Sequence, residues 1–216
     1  MKDKIGIIGL GYVGLPLAVE MAKKYGVVGF DIDNSRISEL NKGVDKTNEL
    51  TLSEVKGALD NNIVFTNDSG FLNDVTFFIV TVPTPINKDK TPNLNPIISA
   101  SKTISNFLKN ESIVVYESTV YPGVTEDICV PILEEGSALT FNKDFFVGYS
   151  PERINPGDKE HTVTKIKKVV SGSTPNALRT ISEIYGSIIK AGIYEAESIK
   201  VAEAAKVIEN TQRDIN

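Results

Sequence analysis

The chain has 216 residues, of which 41% are hydrophobic and 24% charged, so an intrinsically disordered chain is excluded and a core can form. Its 28 acidic and 23 basic side chains give a net charge of −5, which leaves no basic footprint for nucleic acid. No run approaches the roughly 18 apolar residues of a membrane span, no leader-like segment opens the chain, and the single cysteine, Cys129, rules out an internal disulfide or a multi-cysteine metal site.

The β-branched run Lys4–Ile8 predicts a first strand. It feeds Gly9-Leu10-Gly11-Tyr12-Val13-Gly14 and a helix over Gly11–Lys24. Gly9 permits the tight turn, Gly11 lets a pyrophosphate approach the backbone, and Gly14 lets the helix pack on the strand. The helix start then offers unpaired N–H groups to phosphates. A second strand, Val27–Asp31, ends in an acid 17 residues past Gly14, where a carboxylate accepts ribose hydroxyls and repels a 2′-phosphate. That βαβ unit predicts an NAD site rather than an NADP site. Arg36, at the start of the next helix (Ser35–Lys42), reads either as lying along the adenosine or as a solvated arginine.

Helix Thr51–Ala58 and strands Ile63–Phe65 and Thr76–Val82 follow. The loop Pro83–Asn95, stiffened by Pro83, Pro85 and Pro92, leaves the end of a strand, where open α/β sheets bind ligands. Helix Pro96–Leu108 leads to strand Ile113–Glu117 and then to Ser118-Thr119-Val120-Tyr121-Pro122-Gly123, whose hydroxyls suit a cofactor or a water, though spacing alone favours turn capping. Cys129 falls in a helix over Thr125–Glu134 and reads as a small buried hydrophobe. Strand Phe145–Tyr149 ends at Ser150-Pro151-Glu152-Arg153-Ile154-Asn155-Pro156-Gly157. There Glu152 suits a general base and Arg153 an anion clamp, and spacing alone favours a surface ion pair. His161, the single histidine, sits in a charged run and reads as solvated.

After helix Thr174–Tyr185, a last helix is predicted from about Ser198 to the chain end, with Ile199, Ala202, Ala205, Val207 and Ile208 as its apolar positions. Lys206, Asn210 and Arg213 share one face at i, i+4, i+7. An ammonium, an amide and a guanidinium in a stripe suit an oxyanion-rich ligand, and composition alone favours a solvated face. The last helix ends in mid-pattern, without a glycine or proline stop, which suggests a piece of a longer protein. Alternating β and α elements predict an α/β, Rossmann-like, doubly wound and mainly parallel sheet with helices on both faces, followed by a long C-terminal helix.

Taken in order, GLGYVGLPLA, GFDID, VTVPTPIN, YESTVYPG, YSPERINPGD and SIKVAEAAKVIENTQRDIN closely resemble the N-terminal part of the UDP-glucose/GDP-mannose dehydrogenase family, over essentially the whole chain. The likeness is closest to the branch that oxidises UDP-N-acetylhexosamines. The UDP-glucose branch has a phenylalanine–leucine pair after the glutamate and a second acid soon after, where this chain has Arg153, Ile154 and Pro156.

The resemblance implies a cytoplasmic enzyme that oxidises a sugar 6-hydroxyl to a carboxylate, using two NAD in turn, for surface polysaccharide synthesis. It implies NAD contacts at Gly9, Gly11, Tyr12, Val13, Gly14, Asp31, Arg36, Thr84 and Thr119. It implies that Glu152 activates the hydrolytic water beside Thr119, and that Lys206, assisted by Asn210, stabilises the oxyanion. Arg153, Ile154, Lys206, Asn210 and Arg213 are implied substrate contacts. The family's cysteine nucleophile lies in a glycine-rich motif of a C-terminal domain and is not Cys129. Residues 1–195 would then be an NAD-binding domain and 196–216 the start of an inter-domain helix that pairs two copies. Such a chain is expected to bind NAD without completing the oxidation. Two readings compete: another Rossmann dehydrogenase, of 6-phosphogluconate or 3-hydroxyacid type, and a non-catalytic NAD-binding module.

Overall fold

The structure is a computed structural model that describes residues 4–153 and 164–215, apart from the side chains of Asn210 and residues 213–215. Eight strands form one sheet: β1 (Lys4–Ile8), β2 (Gly26–Phe30), β3 (Ile63–Thr66), β4 (Phe77–Val80), β5 (Ser112–Tyr116), β6 (Phe145–Tyr149), β7 (Lys168–Gly172) and β8 (Ile193–Glu195). Their order is β3-β2-β1-β4-β5-β6-β7-β8. Every neighbouring pair is parallel except β6 and β7.

The central strands are buried on both faces, which explains their uninterrupted apolar runs. Side chains alternate between two cores: Ile5 and Ile7 of β1 join one, Ile8 the other. Helices α1 (Gly14–Ala22), α2 (Asn34–Leu40), α3 (Leu52–Leu59) and α6 (Pro175–Gly186) cover the first face. Helices α4 (Asn95–Ser105), α5 (Val130–Ser137) and α7 (Ile199–Ile215) cover the second.

The first six strands coincide with the predicted ones to within two residues at each end. Strands β7 and β8 were not predicted. β8 has three residues at the sheet edge, and β7 opens on the last lysine of the run Lys165–Lys168, which masks its apolar core. The predicted helix over Thr125–Glu134 is instead a π-helical turn, Val124–Cys129, that runs into α5. Pro131 has no N–H for the α-helical ladder, and the Val130 N–H reaches back five residues to the Thr125 carbonyl.

Candidate active site

Register sets the site. Ile8, Val80, Tyr116 and Tyr149 lie at one level across β1, β4, β5 and β6. The residues that follow them, Gly9, Thr81, Glu117 and Ser150, therefore form a row along the C-terminal sheet edge. Strand order reverses between β1 and β4, so their two loops diverge there and open a crevice. A cleft of about 760 Å³ occupies it, running from Asp31 and Arg36 at one end to Glu117, Glu152 and Lys206 at the other.

At the first end the glycine turn carries the geometry. Gly9 has φ 97°, a conformation that favours glycine. A Cβ on Gly14 would stand 1.9 Å from the Gly9 carbonyl oxygen and 2.4 Å from Thr81 Oγ1, so the helix start packs directly on the turn. A Cβ on Gly11 would meet nothing within 4 Å. Thr81, which sequence reasoning passed over, donates its hydroxyl to the Gly9 carbonyl (2.7 Å) and locks β4 to the turn. Asp31 accepts from the Leu10 N–H (2.8 Å) and the Asp33 N–H (2.9 Å), so it braces the turn as well as facing the cleft.

Arg36 lines the cleft but is not a solvated arginine. It is buried, donating Nε to the Leu10 carbonyl (2.7 Å) and Nη1 to Glu39 and to Asp45 (2.8 Å). Burial works against the Asp45 charge, but hydrogen bonds from Thr47, Leu50 and Arg36 outweigh it and hold that carboxyl below the usual range. Arg36 thus ties the turn to α2.

At the other end Ser118 donates to the Val82 carbonyl (2.7 Å), bridging two loops rather than capping its own turn. Thr119 beside it is exposed to the cleft. Glu152 is buried, not at the surface, and the Arg153 guanidinium pairs with Glu209 instead of with it. Its Oε2 accepts from Lys168 Nζ (3.3 Å), its Oε1 from the Arg153 N–H (2.7 Å), and its carbonyl from Lys206 Nζ.

The fully buried Glu117 accepts from Lys168 (2.7 Å) and from the Tyr185 hydroxyl. Burial outweighs the attraction of Lys168 and pushes the Glu117 carboxyl up to about 7. Burial also disfavours the Lys168 charge, but Glu117 and Glu152 together hold its pKa above the ordinary lysine value. Sequence reasoning missed this pair. Its members are 51 residues apart and meet only because β7 runs antiparallel to β6, which puts its first residue at the C-terminal edge of the other strands.

A model of the UDP-glucose/GDP-mannose dehydrogenase family, NAD binding domain, matches residues 3–189. The chain belongs to this family. It is 59% identical over 217 aligned residues to a UDP-N-acetyl-D-glucosamine 6-dehydrogenase of Pseudomonas aeruginosa, covering 100% of this chain and 51% of that protein. It is 60% identical over 213 residues to a UDP-N-acetyl-D-glucosamine 6-dehydrogenase of Salmonella typhi, covering 99% and 50%. The solved structure of a UDP-D-ManNAc dehydrogenase from Pyrococcus horikoshii superposes with a TM-score of 0.91 at 31% identity, over 98% of this chain and 51% of that one. The chain spans about half the length of the curated relatives it matches.

The cleft fits the family's NAD. Gly11 leaves open the space a Cβ would fill. Among the described residues no side chain caps α1; its Leu15 N–H is taken by the Gly11 carbonyl (3.1 Å) and Pro16 has none, so what the helix start offers an anion is the positive pole behind the turn of Gly11, Tyr12 and Val13 that lines the cleft. Thr84 Oγ1 is buried on the cleft wall with no partner among the described residues.

Tyr12 and Val13 also line the cleft, Tyr12 largely exposed. Arg153 is not brought there. It pairs with Glu209 at 3.1 Å and lines a separate hollow of about 290 Å³ against Tyr194 and α7. Asn210 and Arg213 belong to α7, but their side chains, like Ile154 and His161, lie outside the described residues. Cys129 is buried in the second core, and burial pushes its thiol up to about 11, so it is inert. Among the described residues no cluster of metal ligands occurs, and no helix is long and apolar enough to cross a membrane.

Proposed function

We propose that this chain is the cofactor-binding half of a cytoplasmic, NAD-dependent 6-dehydrogenase that converts a UDP-N-acetylhexosamine to its uronic acid for surface polysaccharide synthesis. One observation carries the reading: the glycine turn at one end and Glu152 and Lys206 at the other line a single cleft. A cofactor sensor has no need of the second group.

Bound in this cleft, NAD would supply the hydride acceptor for the oxidation. The chain's own residues do the rest. The glycine turn and the start of α1 hold the pyrophosphate, and Asp31 accepts the ribose hydroxyls. Lys206 places an ammonium where an oxyanion develops, which stabilises charge present mainly in the transition state. Glu152, which lines the same cleft as Thr119, takes the proton of the attacking water. Residues 1–195 act as the NAD-binding domain, and α7 carries the chain towards the rest of the enzyme. The sequence departure at Arg153, Ile154 and Pro156 supports an N-acetylhexosamine over glucose.

Full-length protein assayed against a panel of UDP-sugars tests this. Two NADH per UDP-N-acetylhexosamine, with little turnover of UDP-glucose, is the expected result. Preference for UDP-glucose, or turnover of a 3-hydroxyacid instead, overturns it.

A further inference from the structure

The geometry points to Lys168 as a positioning residue for Glu152: we propose that its ammonium, anchored in the sheet by Glu117, fixes the Glu152 carboxylate at the cleft and maintains it as the base. The inference rests on the reading of Glu152 given above and adds residues to which that reading assigns no role.

Three observations carry it. Lys168 Nζ is shared between Glu117 Oε2 at 2.7 Å and Glu152 Oε2 at 3.3 Å, so one cation touches both carboxylates. Glu117 is itself held from its other oxygen by the Tyr185 hydroxyl of α6, so the anchor does not swing. All three charged side chains are buried, where a lysine is costly unless it is paired.

A hydrophobic residue at this point of β7 would close the sheet more cheaply. The placement instead serves Glu152, which follows β6 by three residues and has no strand to hold it. Glu152 Oε1 accepts from its neighbour's N–H, while Oε2 takes Lys168. Together these two bonds fix the plane of the carboxylate. The groups facing it are Lys168 from β7, Glu117 after β5, Tyr185 from α6, Tyr149 from β6 and Lys206 from α7, with Glu203 of α7 behind Tyr149. Of these only the two lysines favour its ionised form by charge, and Lys206 spends a donor on the Glu152 carbonyl rather than on the carboxylate.

Lys168→Met strands the charge of Glu117, so the variant to use is Lys168→Met with Glu117→Gln. The amide oxygen that Glu117→Gln introduces still accepts from Tyr185, so position 117 carries no stranded charge, and Glu152 is the one member of the trio left to respond to the loss of the ammonium. Lys168→Arg is the conservative control. Isotope-edited carboxyl NMR, with the Glu152 signal assigned by Glu152→Gln, follows the titration of that group in the chain whether or not turnover is measured.

In the double variant the Glu152 midpoint is expected to move up by about one pH unit, and it returns towards wild type in Lys168→Arg. In the full-length enzyme kcat falls about tenfold or more, its acid limb moves to higher pH, and KM stays within about twofold. An unmoved Glu152 titration in the folded double variant overturns the proposal, as does a wild-type kcat and pH profile. A wild-type enzyme that turns over no UDP-sugar would sink the functional reading instead, and the NMR titration would still decide on Lys168.

Discussion

Glu117 is the residue whose surroundings most change its chemistry. Its carboxyl sits fully buried between a lysine and a tyrosine, pushed up to about 7 from an unfolded value near 4.5. A raised carboxyl means that the folded state holds the proton more tightly than the unfolded chain does. The stability from this group is therefore complete below about 4.5 and is lost as pH rises to about 7. Glu117→Gln cannot titrate, so wild type should lose about 3 kcal/mol relative to it across that window. Denaturant unfolding of both proteins at a series of pH values measures the gap, and a constant gap contradicts the burial argument.

Little of this was visible in the sequence. Glu117 stood in the YESTVYPG motif with no assigned role, because a pair formed between distant strands leaves no local spacing to read. Lys168 drew no reading at all, because nothing in its neighbours Lys165, Ile166 and Lys167 sets it apart.

At the scale of elements, the β1–α1 turn was the most legible part of the chain. Each glycine there has a separate physical reason, and the two reasons predict different phenotypes. A Cβ at Gly11 points into open cleft, whereas a Cβ at Gly14 collides with the Gly9 carbonyl. Gly11→Ala should keep wild-type unfolding and weaken NAD about tenfold by occupying its space. Gly14→Ala should lose both, with stability down by about 2 kcal/mol from forced displacement of the turn. Thermal unfolding alongside an NAD titration separates them, and equal behaviour of the two variants would contradict the assignment.

The other end of the cleft was less legible for reasons of topology. Parallel β–α units announce themselves by alternation, and β1 to β6 were read correctly on that basis. β7 enters antiparallel after a long connection, so neither alternation nor helix spacing marks it. That reversal is what brings Lys168 beside Glu152. The π-helical turn before α5 follows from Pro131, a breaker that the apolar spacing around Cys129 concealed.

Over the whole molecule, α7 links the cleft to the outer surface. Its inner face is buried through Ile199 and Ala202, and it delivers Lys206 to the cleft. Glu203, one turn earlier, is fully buried and accepts from the N–H groups of Gly123 (2.6 Å) and Thr125 (3.0 Å), tying the helix to the segment that follows Thr119. Its outer face leaves Val201, Val207 and Ile208 between 42% and 59% exposed, an apolar stripe that suits a second copy of the chain. Val207→Glu with Ile208→Glu should turn a dimer into a monomer by light scattering without lowering NAD affinity, and a wild-type monomer contradicts this.

The central claim is that one cleft joins cofactor binding to chemistry, with the cofactor at the glycine turn and the reaction at Lys206. Steady-state kinetics and NAD titration of Lys206→Ala in the full-length protein test it most directly. The account predicts a kcat lower by about a hundredfold or more with the NAD Kd within about twofold of wild type. An unchanged kcat, or loss of NAD binding in a folded variant, would contradict it.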